Sequence, residues 1–105
     1  MKTITVRGME IEVITRDEWD VVTDEQKEIN AKKHNRATHG IESCRLCNQT
    51  ISDKVLDNSW FVHMTVNGDL IPVGIQLDEN EGSQGLFPVG ASCAKRIPNN
   101  FKKKL

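Results

Sequence analysis

Apolar side chains alternate with polar ones twice near the start of the chain. Ile4 and Val6 alternate with Thr3 and Thr5, then Met9, Ile11 and Val13 with Glu10 and Glu12. A period of two marks a strand with one buried face. Only Arg7-Gly8 separates the runs, so a two-residue turn stacks all five apolar side chains on one side of a β-hairpin. In Thr15-Arg16-Asp17-Glu18 and again in Thr23-Asp24-Glu25-Gln26 a Thr precedes Glu or Gln by three residues, the spacing of a capping box. This predicts a short helix carrying Trp19 and Val22, with Trp19 laid on the hairpin, and a longer helix reaching about Lys33. The second has little beyond Ile29 and Ala31 to bury and runs into Lys32-Lys33-His34-Asn35-Arg36, so it reads as an exposed arm or spacer.

A second hairpin is expected from Trp60 to Ile75. Its turn, Asn67-Gly68, suits type I′ geometry. That register places Val62, Met64, Ile71 and Val73 on one face and His63 on the other, across from Pro72. Asp78-Glu79-Asn80-Glu81-Gly82-Ser83 has no periodicity and reads as a mobile surface loop. Leu86-Phe87-Pro88-Val89 follows as a strand that Pro88 confines to an edge, and then a brief helix from Cys93 to Ile97, capped by Ser92 and stopped by Pro98.

The chain has 105 residues, net charge −1, 37% hydrophobic and 28% charged residues, which fits one α+β domain and does not give the overall basic excess of a dedicated nucleic-acid binder. Its parts are a hairpin with a short helix (1–22), a charged helix or spacer (23–42), a metal unit (43–98) and a basic tail (99–105). No stretch is apolar enough to span a bilayer, and Met1-Lys2-Thr3-Ile4 does not open a signal peptide. A reducing cytoplasm is the expected compartment.

Cysteine chemistry changes the picture most. The three cysteines, Cys44, Cys47 and Cys93, are an odd number, which a disulfide framework leaves unbalanced. Thiolates in a Cys-x-x-Cys turn grip one ion while backbone amides point at the sulfurs, and Asn48 can take the positive φ that such a turn needs. Cys93 at a helix start has its thiolate favoured by unpaired amides. With His63 as fourth ligand these residues form a closed, structural Cys3His zinc site. His39, shortly before Cys44, is the competing fourth ligand, and a buried-thiol role for the cysteines, a redox pair at Cys44-Cys47 and a core-edge His63 bonded to a backbone carbonyl are the alternatives.

Knuckle, hairpin, then a cysteine on the first turn of a helix is the order of parts in a treble-clef zinc finger, which the second half of the chain resembles. A treble clef takes two ligands from the helix start, whereas Arg96 stands three residues after Cys93 here. Cys44, Cys47, Trp60, His63, Thr65, Gly68, Leu70, Pro72, Val73 and the run from Phe87 to Ile97 are also similar to a group of small bacteriophage zinc-finger-like proteins. That resemblance implies phage origin and no particular activity. Residues 42–50 faintly resemble the closing knuckle of HNH endonucleases, but the metal-activating histidine pair of such enzymes is not matched.

With four strong ligands closed around zinc, no coordination position is left for chemistry, so the expectation is a binding module and not an enzyme. Gly8, Gly40, Gly68, Gly74, Gly82, Gly85 and Gly90 are scattered and build no phosphate loop. A protein partner is favoured, a host or phage protein that this chain modulates, with a component of host defence as one candidate. Nucleic acid is the alternative partner, through Lys95, Arg96, Lys102, Lys103 and Lys104 with Phe101 among them. Against it stand the acidic residues Asp78, Glu79 and Glu81, the few aromatics, and a tail that reads as solvated and frayed.

Overall fold

The computed structural model describes residues 2–36, 40–52 and 59–104. The chain runs β1 (Thr3–Val6), β2 (Met9–Glu12), α1 (Arg16–Trp19), α2 (Asp24–Arg36), β3 (Gly40–Ser43), β4 (Thr50–Ser52), β5 (Trp60–Thr65), β6 (Leu70–Ile71), β7 (Ser83–Val89), α3 (Ala91–Ala94) and β8 (Lys103–Lys104). Single 3-10 turns lie at Glu79–Glu81 and Asn99–Phe101. This is a mixed α+β fold. No helix among the described residues is long and apolar enough to cross a membrane.

The first hairpin has the expected register, with Ile4 opposite Ile11 and Val6 opposite Met9. Arg7 and Gly8 both take positive φ, 50° and 80°, as a type I′ turn requires. Val6, Ile11 and Val13 are buried, while Met9 at the tip stays 53% exposed. Ile14 then exchanges two backbone hydrogen bonds with Leu70, at 3.0 and 2.8 Å, which joins the hairpin to the edge of the main sheet at β6.

Trp19 does not lie on the hairpin. Its indole N–H donates to the Gly68 carbonyl at 2.7 Å, and its ring packs on the main core. A half-buried indole needs an acceptor for its one donor, and the β5–β6 turn offers one. The Thr15–Glu18 capping box of α1 is formed, and Thr23 Oγ1 accepts from the Gln26 amide at the start of α2.

The helix α2 buries no residue, yet it is not a free arm. Asn30 Nδ2 donates to the Cys47 carbonyl at 2.9 Å, Asn48 Nδ2 to the Lys27 carbonyl at 3.4 Å, and His34 Nδ1 sits 3.1 Å from Thr50 Oγ1. Polar contacts fasten the helix to the cysteine loop where apolar ones are lacking, which hydropathy patterning does not register.

In the main sheet β5 is flanked by β6 and β7, and β8 pairs with its first residues. The β5–β6 turn differs from expectation by one residue. His63 pairs with Ile71 and Met64 with Leu70, because the turn spans Val66, Asn67 and Gly68 and only Gly68 has positive φ, 85°. Type I′ would need positive φ at Asn67 as well. A one-residue slip moves a strand's side chains to the other face, so Leu70 replaces Ile71 beside Val62 and Met64. Those three share the main core with Cys44, Cys47, Cys93, Leu46, Ile51, Val89, Ala94 and Phe101.

The segment after Asp78 is ordered and not loose. Asp78 caps the 3-10 turn through a reciprocal bond with Glu81, and Gly82 closes it at φ 97°. The tail is not frayed either: Phe101 is 3% exposed, the Asn100 carbonyl accepts from Val73, and Lys103 and Lys104 pair with Phe61 and Trp60.

Candidate metal centre

Two ligand-bearing elements meet at the sulfurs. The first is the loop between β3 and β4, an antiparallel ribbon with a shifted register at Gly40/Glu42. Inside it the Cys44 amide donates to the Gln49 carbonyl at 2.7 Å and the Asn48 amide to the Cys44 carbonyl at 2.8 Å. Asn48 takes φ 67°, the left-handed conformation that a short polar side chain tolerates. Arg45, between the cysteines, locks the loop against β7. Its amide donates to the Pro88 carbonyl at 3.0 Å, its guanidinium reaches Gln84 Oε1 at 2.9 Å and lies 4.2 Å from the centre of the Phe87 ring.

The second element is α3. It starts two residues earlier than its sequence pattern indicates, with Gly90 and not Ser92 at the cap position. Cys93 is its third residue, still in the first turn.

Together they place Cys44, Cys47 and Cys93 with their Sγ atoms all within 4.8 Å of one another. All three are free thiols, 0 to 5% exposed. Tetrahedral zinc–thiolate geometry, with bonds of about 2.3 Å, asks for sulfurs about 3.8 Å apart, so a metal ion fits with small side-chain adjustments. Hydrogen bonds from Cys47 and Cys93 push the Cys44 thiol down to about 2, assisted by the amides of Gly90 and Leu46. Cys47 and Cys93 are pushed up in return, in each case first through the bond to Cys44. Amide donors aimed at sulfur hold a thiolate in place for a cation.

The structure does not bring His63 into this group. Its neighbours in β5, Val62 and Met64, face the cysteines, so His63 faces away by strand alternation. There it is 8% exposed, its Nε2 lies 2.6 Å from Ser83 Oγ, and the Ile75 carbonyl also bonds it. Burial, with the Lys103 charge as a lesser cause, lowers its pKa. These are the surroundings of a satisfied, neutral core histidine. His39 lies outside the described residues. Among the described residues, no fourth Cys, His, Asp or Glu joins the three sulfurs.

Arg96, which the sequence offers as a basic residue standing where a treble clef has a ligand, has a place at the centre. Its Nη2 donates to Cys93 Sγ at 3.3 Å, from the position three residues after Cys93 where a second helix ligand would stand. A cation beside Cys93 Sγ would offset part of the net negative charge of three thiolates around a divalent ion. The signal for it was the i, i+3 spacing, which puts both side chains on one helical face.

Comparison with protein-family models, with curated proteins and with solved structures finds no match to this chain.

Proposed function

We propose that the protein is a small zinc-binding module in which Cys44, Cys47 and Cys93 hold a structural Zn²⁺ and which acts by surface contact, not by catalysis. The observation that carries this reading is the convergence of three buried thiols, two from a tight loop and one from a helix start. Thiolate donors suit zinc, and the loop–hairpin–helix order agrees with a zinc-stabilised, treble-clef-like unit. The kinship with phage zinc-finger-like proteins, and the role of accessory protein in a host cytoplasm, belong to the same proposal.

Donor chemistry speaks against catalysis: three thiolates donate charge to a zinc ion, and Arg96 donates a hydrogen bond to Cys93 Sγ, so the group set beside that sulfur is a donor and not a general base. The nuclease reading finds little support in His34, which is engaged with Thr50.

Native mass spectrometry of protein purified without added metal tests the assignment. One zinc per chain, with thiol-reactive dye blocked until a chelator is added, is the expected result. A folded protein with three dye-reactive cysteines and no metal would overturn it.

A further inference from the structure

The 24 residues from Gly82 to Leu105 hold five of the chain's 14 Lys and Arg and none of its 15 Asp and Glu. This segment is therefore strongly cationic in a chain whose remainder is net acidic. It is also fixed. Phe101 anchors it in the core, β8 pairs with β5, and Lys102 Nζ donates to the Ala94 carbonyl at 2.6 Å, tying the tail to the end of α3 beside Lys95 and Arg96. No carboxylate among the described residues pairs with any of the five cations.

An aromatic ring stands among them. The Lys102 and Lys104 ammonium groups lie 4.7 and 5.1 Å from the centre of the Trp60 ring. Beside that ring runs a groove of about 520 Å³ whose walls include Ile51, Val89, Thr50, Ser92 and Lys104. Its Ile51, Val89 and Trp60 walls are apolar, as a nucleobase requires, while Thr50 and Ser92 offer hydroxyls and Lys104 an exposed ammonium, as a phosphate requires.

From this arrangement we infer that the protein binds single-stranded nucleic acid on the surface formed by the end of α3, β8 and the Trp60 groove. A base enters beside Trp60, and phosphates lie on Lys104, Lys95 and Arg96. Lys102, held by Ala94, positions the Trp60 ring. The groove admits a base whose edges are not paired, which favours a single strand over a duplex. Five cations at the end of α3 and along β8, with no carboxylate among the described residues paired to them, suit a phosphodiester backbone better than the mixed surface of a folded protein. The inference rests on the binding-module reading above and names its partner.

The test is fluorescence anisotropy with a fluorescein-labelled 20-mer of deoxythymidine, using the full chain with its metal. Three to four neutralised phosphates predict binding that weakens roughly 20- to 50-fold between 50 and 200 mM salt. The double variant Lys95→Glu/Lys104→Glu should lose at least about tenfold in affinity, and Trp60→Phe several-fold, as expected for a stacking contact. Lys32→Glu/Lys33→Glu in α2, with the same change in charge, should bind as the parent does. Zinc content and thermal melting are read on every variant, so a failure here is distinguishable from failure of the metal centre. No binding, equal loss from the α2 variant, equal affinity for a duplex of the same length, or displacement by polyglutamate as readily as by unlabelled oligonucleotide would each overturn the inference.

Discussion

Two antiparallel ribbons in this chain are held in opposite ways. The β1–β2 hairpin has a regular ladder, a two-residue turn with both residues at positive φ, and an alternating apolar face that ends in Ile11 and Val13. The β3–β4 ribbon has a broken register and little alternation in Gly40-Ile41-Glu42-Ser43 or Thr50-Ile51-Ser52. Its ends are brought together by a loop that carries two buried sulfurs. Burial of apolar surface organises the first, and the second is marked by thiols that converge with a third from α3. A two-stranded ribbon alone is marginal in water, so each leans on the main sheet: the hairpin through Ile14 and Leu70, the cysteine loop through Arg45 and Pro88.

Cys44→Ser should break the contrast most severely. It removes the best-buried sulfur and with it the metal, at a cost of more than about 4 kcal/mol of stability, the range reserved for lost metals and buried networks. Chemical denaturation with and without chelator measures this. The Ile14–Leu70 bonds predict that chelation loosens the first hairpin as well, seen as faster amide exchange at Ile14 and Leu70.

Ile11→Ala addresses the other ribbon. Truncating this buried side chain should cost about 2–4 kcal/mol and leave zinc stoichiometry at the parental value. Loss of metal in this variant would show that the two ribbons are not separately held.

His63 sharpens the comparison, because it stands on the face of β5 opposite the one that meets the cysteines. Its folded pKa is lowered by burial, so the fold prefers the neutral ring. This contribution is complete above the unfolded value of about 6.5 and is lost as pH falls through the lower folded value. Between pH 7 and pH 5 the parent should therefore lose more stability than His63→Gln, as urea midpoints will show. Equal pH dependence would contradict the placement of His63.

The smallest effect is expected at Thr15→Ala. The Thr15–Glu18 capping box is exposed, and its loss should cost about 0.5–1 kcal/mol, seen as a small shift in melting temperature with unchanged metal binding.

How far the sequence announced these features follows from the same physics. The first hairpin was legible because alternation and turn chemistry agree at Arg7-Gly8. The cysteine set and the positive φ of Asn48 were legible because loop and ligand chemistry are local. The β5–β6 register was not, because a three-residue turn and a type I′ turn both accept Asn-Gly, and the slip of one residue is decided by which of Leu70 and Ile71 packs beside Met64. The place of His63 relative to the sulfurs was not legible for a related reason. The strand pattern placed it opposite Val62 and Met64 correctly, but it could not say on which face the sulfurs lie. The docking of α2 escaped notice because Asn30 and His34 bond across the gap by polar contacts that leave no mark on hydropathy.

The central claim is that three sulfurs, without His63, hold one metal ion. Native mass spectrometry of the parent, His63→Ala and Cys93→Ser, each with its fold checked by circular dichroism, tests it most directly. The account predicts one zinc per chain in the parent and in His63→Ala, and none in Cys93→Ser. A folded parent without metal, or a folded His63→Ala that has lost its zinc, would contradict it.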